Sequence, residues 1–235
     1  MVIKAKGIAI MKILLISDVH GNYEALKEIL AREKYDRLYC MGDLVDYGPS
    51  PEECIQELED KADVVIKGNH DNAVATGADC GCGYEIKELS EKVRDMTKEL
   101  LSKNSMEYLE ELPFEEVKDN MFFTHASKGD LYKYLKPDTP KKEFSDFSEL
   151  NQDIVLLGHT HLPMYRRIDG KRFINPGSLG QPRDGDPRAS YAVLENGEVE
   201  FKRKEYDIGK VKKRLDEKHF LERAKRILEA GKVVE

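Results

Sequence analysis

Five short groups of aspartate, asparagine and histidine residues stand out because each group directly follows an apolar run. They are Asp18-Val19-His20, Gly42-Asp43, Gly68-Asn69-His70-Asp71, Thr124-His125 and Gly158-His159-Thr160-His161, and they contain five of the six histidines. A single histidine or aspartate at the end of a strand is usually a loop residue with ordinary hydrogen bonds. Because five groups share the same pattern, we expect them to form one chemical site.

Carboxylate, amide and imidazole groups together provide a mixed oxygen and nitrogen ligand set for metal ions. Two carboxylates, one amide and four histidines exceed what one tetrahedral ion needs, and they suit two divalent ions that share a bridging carboxylate. Such ligands favour manganese, iron, zinc, nickel or cobalt over calcium. The residue types therefore predict a site for two divalent transition-metal ions and leave the choice among these metals open.

The apolar runs that precede these groups have the character of buried strands. They lie at residues 12–17, 37–41, 64–67, 121–123 and 154–157. Near-continuous apolarity is typical of strands that are covered on both faces, as in parallel or mixed sheets between helices. Loops at the carboxyl ends of such strands meet in one crevice. We therefore expect residues far apart in the chain to converge there.

Helix signals lie between the first strands. The apolar spacing of residues 22–33 predicts an amphipathic helix. Asn22 would be its N-cap, and contact with a substrate is the less favoured role. Ser50, Pro51 and Glu53 predict the start of a second helix, as N-cap, first-turn proline and capping-box acid. The chain thus begins with a βαβα pattern.

The second half of the chain has a different pattern. Alternating runs surround Asp169-Gly170 and Asn196-Gly197, which predict tight antiparallel hairpins. A charged amphipathic helix is expected at residues 208–230, and a helical insertion at residues 84–111. We find no linker, repeat or low-complexity tract, so one domain is favoured.

Composition limits the function. A chain of 235 residues with 40% hydrophobic residues can bury one sizeable core. Its formal charge of −7 and pI near 5.5 argue against general nucleic-acid binding by a basic face. No run approaches the roughly 20 apolar residues of a membrane span. Lys12 divides the apolar N-terminal stretch, so it does not fit a signal peptide, and residues 1–10 are an extension whose start, Met1 or Met11, is open.

The cysteines indicate a reducing compartment. Cys40, Cys54, Cys80 and Cys82 form neither the paired C-x-x-C pattern of a zinc ribbon nor a dense disulfide scaffold. We therefore expect a cytoplasmic protein. For Cys80 and Cys82, a glycine-rich loop near the site is favoured over a redox pair or an additional metal clamp.

The order D-x-H, G-D, G-N-H-D, a single H and G-H-x-H resembles the five motifs of the calcineurin-like metallophosphoesterase superfamily. The resemblance covers residues 11–206, and the stretches "GDLVDYGPSP" and "INPGSLGQPRDGDPRASYAV" are similar to its small prokaryotic phosphodiesterase branch. It implies an α/β fold of two mixed β-sheets packed face to face and flanked by helices, a four-layer sandwich with a dimetal site at one edge. Manganese is our first choice of metal on this basis.

The resemblance also implies a role for each motif residue. The implied metal ligands are Asp18, His20 and His161 for one ion, Asn69, His125 and His159 for the other, and Asp43 as the bridge. A hydroxide that bridges the two metals would attack phosphorus. His70 would protonate the departing oxygen as general acid, and Asp46 would orient His70. Asp71 is expected to be structural, as an acceptor for loop amides.

One departure from the superfamily pattern restricts the substrate. Protein phosphatases and symmetrical dinucleoside tetraphosphatases have an arginine where this chain has Tyr47. We therefore expect a phosphodiesterase acting on a small phosphodiester or nucleotide. Two roles are equally favoured for Arg183 and Arg188. They hold a substrate phosphate, or they pair with Asp184 and Asp186.

Several alternatives stay open at the level of sequence. A dinucleoside polyphosphate hydrolase would need Arg183 or Arg188 in place of the missing arginine, and a phosphomonoesterase would use the same site. A non-catalytic metal-binding scaffold of the same fold is disfavoured because every ligand position is filled. A nuclease on long DNA would need a basic groove. The C-terminal segment 207–235 is expected to pack on its own domain or on a second copy in a homo-oligomer.

Overall fold

The computed structural model describes residues 11–81 and 84–234. The predicted extension at residues 1–10 and Cys82 lie outside the described residues. The strands are β1 Lys12–Ile16, β2 Arg37–Cys40, β3 Val64–Val65, β4 Glu115–Lys118, β5 Met121–Thr124, β6 Ile154–Leu156, β7 Pro163–Ile168, β8 Lys171–Pro176, β9 Ala189–Glu195 and β10 Glu198–Lys204. The helices are α1 Tyr23–Arg32, α2 Pro51–Lys61, α3 Asn69–Thr76, α4 Tyr84–Leu100, α5 Lys103–Glu111, α6 Ile208–Glu217 and α7 Glu222–Ala230, with a 3₁₀ helix at Lys141–Phe147.

The strands form two mixed sheets of five strands each within the described part of the chain. The first has the order β10-β9-β1-β2-β3 and the second β4-β5-β6-β8-β7. In the first sheet β1, β2 and β3 are parallel, whereas β9 is antiparallel to both β1 and β10. In the second, β5, β6 and β8 are parallel, and β4 and β7 are antiparallel edge strands. The predicted fold class is confirmed.

The two sheets face each other across one apolar layer. Leu15 and Tyr39 from the first sheet pack in one cluster with Phe123, Leu156 and Ile174 from the second. Alternate residues of the first sheet, such as Leu14 and Leu38, face the opposite way, into the cluster that α1 and α2 cover. Because both faces of the central strands are covered, these strands read as continuous apolar runs.

Both predicted hairpins are present. The β7–β8 hairpin turns at Asp169-Gly170 and the β9–β10 hairpin at Asn196-Gly197, and all four of these turn residues have positive φ. Sequence analysis missed β4, which forms a third hairpin with β5 through Asp119-Asn120. That strand lies at a sheet edge and is only partly buried, so its sequence has no apolar run.

The start of α2 differs from the prediction. Ser50 is the N-cap and Pro51 the first residue, but Ser50 makes no capping hydrogen bond. Instead, the Arg214 guanidinium of α6 donates hydrogen bonds to Ser50 Oγ and Glu53 Oε1. The predicted capping box is therefore wrong, because a contact from the C-terminal helix occupies both of its side chains.

The C-terminal segment forms two helices instead of the single expected helix. The chain turns at His219, which has a φ of 57°. The turn lets Leu215 of α6 and Ile227 of α7 enter one apolar cluster, together with Val93 of α4 and Tyr47. The helices thus pack on their own domain. No described helix is long and apolar enough to cross a membrane.

Candidate metal centre

The five motif groups lie at the same edge of the two sheets, four of them in loops and the group at Asn69 in the first turn of α3. Asp18 and His20 follow β1, Asp43 follows β2, and the other groups follow β3, β5 and β6. Several of these residues have a left-handed backbone, with φ of 52° at Asp18, 55° at Asp43 and 66° at His159. This conformation is costly for residues other than glycine, and such strain is concentrated at functional sites. The backbone conformation of these loops is therefore locally unfavourable, and it directs the side chains toward one another.

One ligand cluster joins the loops after β1, β2 and β6. Ligand atoms of Asp18, His20, Asp43 and His161 lie within 4.8 Å of one another, and all four side chains are buried. His20 Nε2 lies 3.1 Å from His161 Nε2, and His161 Nε2 lies 3.3 Å from Asp18 Oδ1. This cluster has the four donor groups that a divalent cation could use.

A second cluster shares Asp43 with the first. Ligand atoms of Asp43, His125 and His159 again lie within 4.8 Å of one another. The amide oxygen of Asn69 lies 3.1 Å from His125 Nε2 and 3.0 Å from His159 Nδ1. The structure thus brings together the residues that the resemblance assigns to each ion.

Asp43 is held so that one oxygen faces both clusters. The backbone N–H of His70, at the start of α3, donates a hydrogen bond of 2.9 Å to Asp43 Oδ1. Asp43 Oδ2 lies 3.1 Å from His125 Nε2 and 3.8 Å from His20 Nε2. The second oxygen therefore faces ligand atoms of both clusters.

Asp71 fixes the backbone around Asp43 and Gly68. Its carboxylate accepts hydrogen bonds from the backbone N–H groups of Asp43 (2.8 Å), Leu44 (2.8 Å) and Gly68 (2.9 Å). A side chain at Gly68 would meet Asp43 Oδ1, because an ideal Cβ there lies 2.0 Å from that oxygen. The expected structural role of Asp71 agrees with these contacts, and Gly68 is needed for the close approach of the two loops.

Backbone carbonyls orient the histidine rings. His20 Nδ1 donates to Val45 O at 2.8 Å, and the Nδ1 atoms of His161 and His125 contact Gln181 O and Met41 O. For these three rings Nε2 is left facing the clusters. His159 is reversed, because its Nε2 contacts Tyr132 O at 3.2 Å and its Nδ1 faces Asn69. Such contacts fix both tautomer and direction for metal binding.

Three of the proposed ligand histidines are held in the neutral form that binds a cation. Burial lowers the pKa of both His20 and His159 to about 3, so these rings are neutral and carry a free lone pair. Burial, followed by the positive charge of Arg183, holds the pKa of His161 well below its usual value. Burial also raises the pKa of Asp18 to about 7. A cation would reverse the penalty on this carboxylate.

The buried carboxylate oxygen Oδ2 of Asp18 shows whether these residues suit a bound cation. Among the described residues, Asp18 Oδ2 has no hydrogen-bond donor although it is inaccessible to solvent. A buried carboxylate oxygen in this state costs free energy unless a cation compensates for it. The donors are oxygen and nitrogen only, which suits divalent transition metals. The residues present therefore fit a divalent metal site.

His70 lies beside the ligands and makes a different contact. Its Nδ1 lies 2.7 Å from Asp46 Oδ2, and both side chains are buried. The His70 ring centroid is 5.1 Å from that of His20 and 5.0 Å from that of Tyr47. Tyr47 itself belongs to the apolar cluster with α4 and the C-terminal helices. The position of the missing arginine is thus filled by a packing residue.

The two arginines have different surroundings. Arg188 Nη2 lies 2.6 Å from Asp186 Oδ2, so this arginine forms an ion pair, the alternative to holding a substrate phosphate. Asp184 pairs with Arg203 and not with Arg183. Arg183 is half-buried and makes one long hydrogen bond of 3.4 Å to Gln181, and its buried Nε has no partner among the described residues. Of the two, Arg183 is the one whose charge acts on the site.

Sequence reasoning missed Tyr134, whose ring centroid lies 4.1 Å from that of His159. No motif includes this residue, and only its nearness to His125 in the chain would have drawn attention to it. The backbone acceptors for the histidine rings were also missed, because a backbone carbonyl has no sequence signature. Cys80 is disulfide-bonded in the structure, and its backbone carbonyl accepts a hydrogen bond from Asn69 Nδ2 at 2.7 Å.

Comparisons with known proteins identify relatives that are phosphoesterases. The model of the calcineurin-like phosphoesterase superfamily domain matches residues 11–198. The crystal structure of a metallophosphoesterase from Sphaerobacter thermophilus is similar with a TM-score of 0.83 at 32% identity, over 94% of this chain and 99% of that chain. An uncharacterised protein of Methanocaldococcus jannaschii is 32% identical over 240 residues, which cover 87% of this chain and 94% of that protein. Phosphodiesterase YfcE of Escherichia coli is 27% identical over 203 residues, covering 79% and 88%.

These findings define a class of enzyme, the metal-dependent hydrolases of phosphoric esters. This chain belongs to the calcineurin-like phosphoesterase superfamily. The family predicted from the five motifs is confirmed.

Proposed function

We propose that this protein is a dimetal phosphodiesterase that acts on small phosphodiesters. The observation that carries the proposal is the pair of buried ligand clusters sharing Asp43, with the Asp46-bound imidazole of His70 beside them. The similarity to phosphodiesterase YfcE and the presence of Tyr47 in place of an arginine support diesters over protein phosphomonoesters.

In this proposal each cluster binds one cation. The residues for one cation are Asp18, His20 and His161, those for the other are Asn69, His125 and His159, and Asp43 is shared. Two bound divalent cations would neutralise phosphate oxygens and lower the pKa of water, which makes a nucleophile available at neutral pH. We propose manganese as the metal, as the superfamily resemblance implies. The donors are oxygen and imidazole nitrogen without a thiolate, which suits manganese and equally iron, zinc, nickel or cobalt.

His70 supplies the proton for the departing oxygen. Asp46 accepts a hydrogen bond from Nδ1, and in the doubly protonated imidazolium the second proton is on Nε2. This Nε2 proton passes to the leaving alkoxide, and the neutral ring that remains still donates from Nδ1 to Asp46. The imidazole is not among the ligand clusters, so its proton is not displaced by a cation. This division gives the chain separate groups for binding the phosphate and for protonating the leaving group.

The proposal also includes a cytoplasmic setting. It is supported by the sparse cysteines of the sequence and by Cys40 and Cys54, which are free and buried, whereas the disulfide at Cys80 counts against it.

The test is a metal analysis followed by kinetics. Purified protein is stripped, reloaded with manganese, iron, zinc, nickel or cobalt, and its metal content is measured. We expect about two ions per chain. We also expect a higher kcat/KM on an aryl phosphodiester than on the matching monoester, and manganese as the best activator.

The same substrate panel separates the alternatives. A preference for the monoester with every metal would make the protein a phosphomonoesterase. Faster cleavage of dinucleoside polyphosphates than of simple diesters would favour that second substrate class. Two bound ions without hydrolysis of any ester would favour the metal-binding scaffold.

A further inference from the structure

A cationic cleft lies directly beside the metal centre. It has a volume of about 310 Å³, and its lining residues are Tyr134, Lys136, Thr160, Leu162, Arg183, Lys232 and Val233. Thr160 stands between the two ligand histidines of the last motif, and the Tyr134 ring packs on the ring of His159. The cleft therefore opens within one residue of the proposed metal ligands.

Three cations and no carboxylate line this cleft. Lys136, Arg183 and Lys232 make no ion pair with any other residue of the described segments, 11–81 and 84–234. The nearest acids along the chain, Asp184 and Asp186, are paired with Arg203 and Arg188. Three uncompensated cations converge on one concavity in a protein whose formal charge is −7. Such a site is electrostatically prepared for a compact anion.

The C-terminal segment is anchored so that Lys232 faces this cleft. The N–H of Gly185 donates a hydrogen bond of 2.8 Å to Gly231 O. Gly231 has a φ of 60° and packs on Asp186 and Pro187, where a Cβ would lie 2.5 Å from the backbone carbon of Asp186. Three residues after Gly231, Val234 O accepts a hydrogen bond of 2.7 Å from Arg223 Nε. These contacts hold the tail against the loop that carries Arg183.

We propose that the C-terminal segment completes a second phosphate-binding subsite, and that the preferred substrates are phosphodiesters carrying a further phosphoryl group. This inference rests on the proposed phosphodiesterase function. A phosphoryl group has several charged acceptor oxygens, which match the ammonium groups of Lys136 and Lys232 and the fork of Arg183. The volume admits this group with part of an attached sugar. Nucleotides that bear two phosphates, or short polyphosphate-linked nucleotides, have this chemistry.

The test compares two substrates that differ by one phosphate. They are the nitrophenyl ester of thymidylate and the same ester with a second phosphate on the sugar, and diadenosine tetraphosphate is a third arm for phosphates joined to each other. In the reloaded enzyme we expect the additional phosphate to raise kcat/KM about tenfold, mainly through KM. Arg183→Ala and Lys232→Ala should each reduce this ratio of kcat/KM values about three- to tenfold.

Lys218→Ala is the matched control, because it removes the same charge from an exposed residue of the C-terminal segment that is not in the cleft. It should keep the wild-type ratio. Lys232 is itself exposed, so its alanine variant is expected to fold even if Arg183→Ala does not. Equal kcat/KM for the two thymidylate esters, or an unchanged ratio in Lys232→Ala, would overturn the inference and leave the phosphodiesterase proposal standing.

Binding without turnover separates the two proposals. Calorimetry measures the affinity of metal-free protein for thymidine bisphosphate and for pyrophosphate. Weaker binding by Lys232→Ala than by Lys218→Ala supports the subsite even if no ester is hydrolysed, which would count against the proposed function alone. Equal binding by both variants would overturn the subsite.

Discussion

His70 differs from the other four histidines of the site in the group that orients its ring, because its Nδ1 contacts a carboxylate and not a backbone carbonyl. Its Nδ1 contact with Asp46 at 2.7 Å resembles the support that general acids and bases need. The four other histidines of the site use a backbone carbonyl for this purpose, and their remaining nitrogen faces the clusters. This difference in hydrogen-bond partner is the basis for proposing His70 as a proton donor and the other four histidines as metal ligands.

Replacement of His70 by alanine should leave both metal ions bound, because the ring is outside the clusters. We expect kcat/KM to fall by roughly 10²–10⁴-fold on diesters with alkoxide leaving groups, the usual contribution of positioned proton transfer. The loss should be much smaller on a nitrophenyl ester, whose leaving group departs without a proton. Asp46→Asn should give a weaker version of the same pattern. Loss of a metal ion, or equal slowing on both substrates, would contradict this role.

The proposed bridging role of Asp43 predicts how its replacement changes the number of bound metal ions. Asp43→Asn should reduce occupancy of both sites, since Oδ2 faces both clusters. His159→Ala should mainly empty one site, because its Nδ1 belongs to the second cluster alone. Metal analysis after dialysis distinguishes the two variants. Full occupancy of about two ions in Asp43→Asn would disprove the bridge.

At the scale of the elements, the site depends on two loops that approach each other closely. The loop after β2 carries Asp43, and α3 begins at Asn69 immediately after Gly68. Asp71 joins them, because one carboxylate accepts hydrogen bonds from N–H groups in both. The helix start in turn donates the N–H of His70 to Asp43. Each loop therefore stabilises the conformation of the other.

Asp71→Asn tests this connection. An amide would present an N–H₂ group to a backbone N–H and lose at least one charged hydrogen bond, so we expect the free energy of unfolding to fall by about 2–4 kcal/mol. Urea denaturation in the presence of a chelator measures this without a contribution from metal. Asp138→Asn, on an exposed loop, is the control and should change it by less than about 0.5 kcal/mol. Coincident unfolding curves for the two variants would refute the connection.

At the scale of the whole molecule, the ligand set is divided between the two sheets. Asp18, His20 and Asp43 come from loops of the first sheet, whereas His125 and His159 come from loops of the second. Bound cations would therefore cross-link the sheets at one edge. Away from that edge the sheets are joined by their own apolar layer, which contains no site residue. The fold and the metal centre thus contribute separately to stability.

Removal of metal should lower the Tm without unfolding the protein. A ligand at 100 times its Kd stabilises the native state by about 2.7 kcal/mol, which corresponds to roughly 5–10 °C for a chain of this size. Far-UV circular dichroism with and without a chelator should show the same spectrum at 25 °C and different melting curves. The shift should shrink in Asp43→Asn. An identical Tm with and without the chelator would contradict a metal that cross-links the sheets.

Local patterns in the sequence were enough to predict most of the strands, two of the three hairpins and the residues that gather at the site. Apolar runs, Asp-Gly and Asn-Gly turns, and polar groups after each strand are all readable over a few residues. The convergence of the five groups also followed, because parallel strands place their carboxyl ends at one edge.

Only the tertiary structure decided the contacts between residues distant in the chain. Arg214 replaces the predicted capping box of α2, Asp71 joins two loops, and Lys232 is brought beside Arg183. The direction of each histidine ring also depends on a carbonyl from another loop. None of these contacts has a local signature, because a side chain's partner is set by packing of the folded chain and not by its neighbours in sequence. The sequence therefore determined which groups could do chemistry, and the packing decided which atoms face one another.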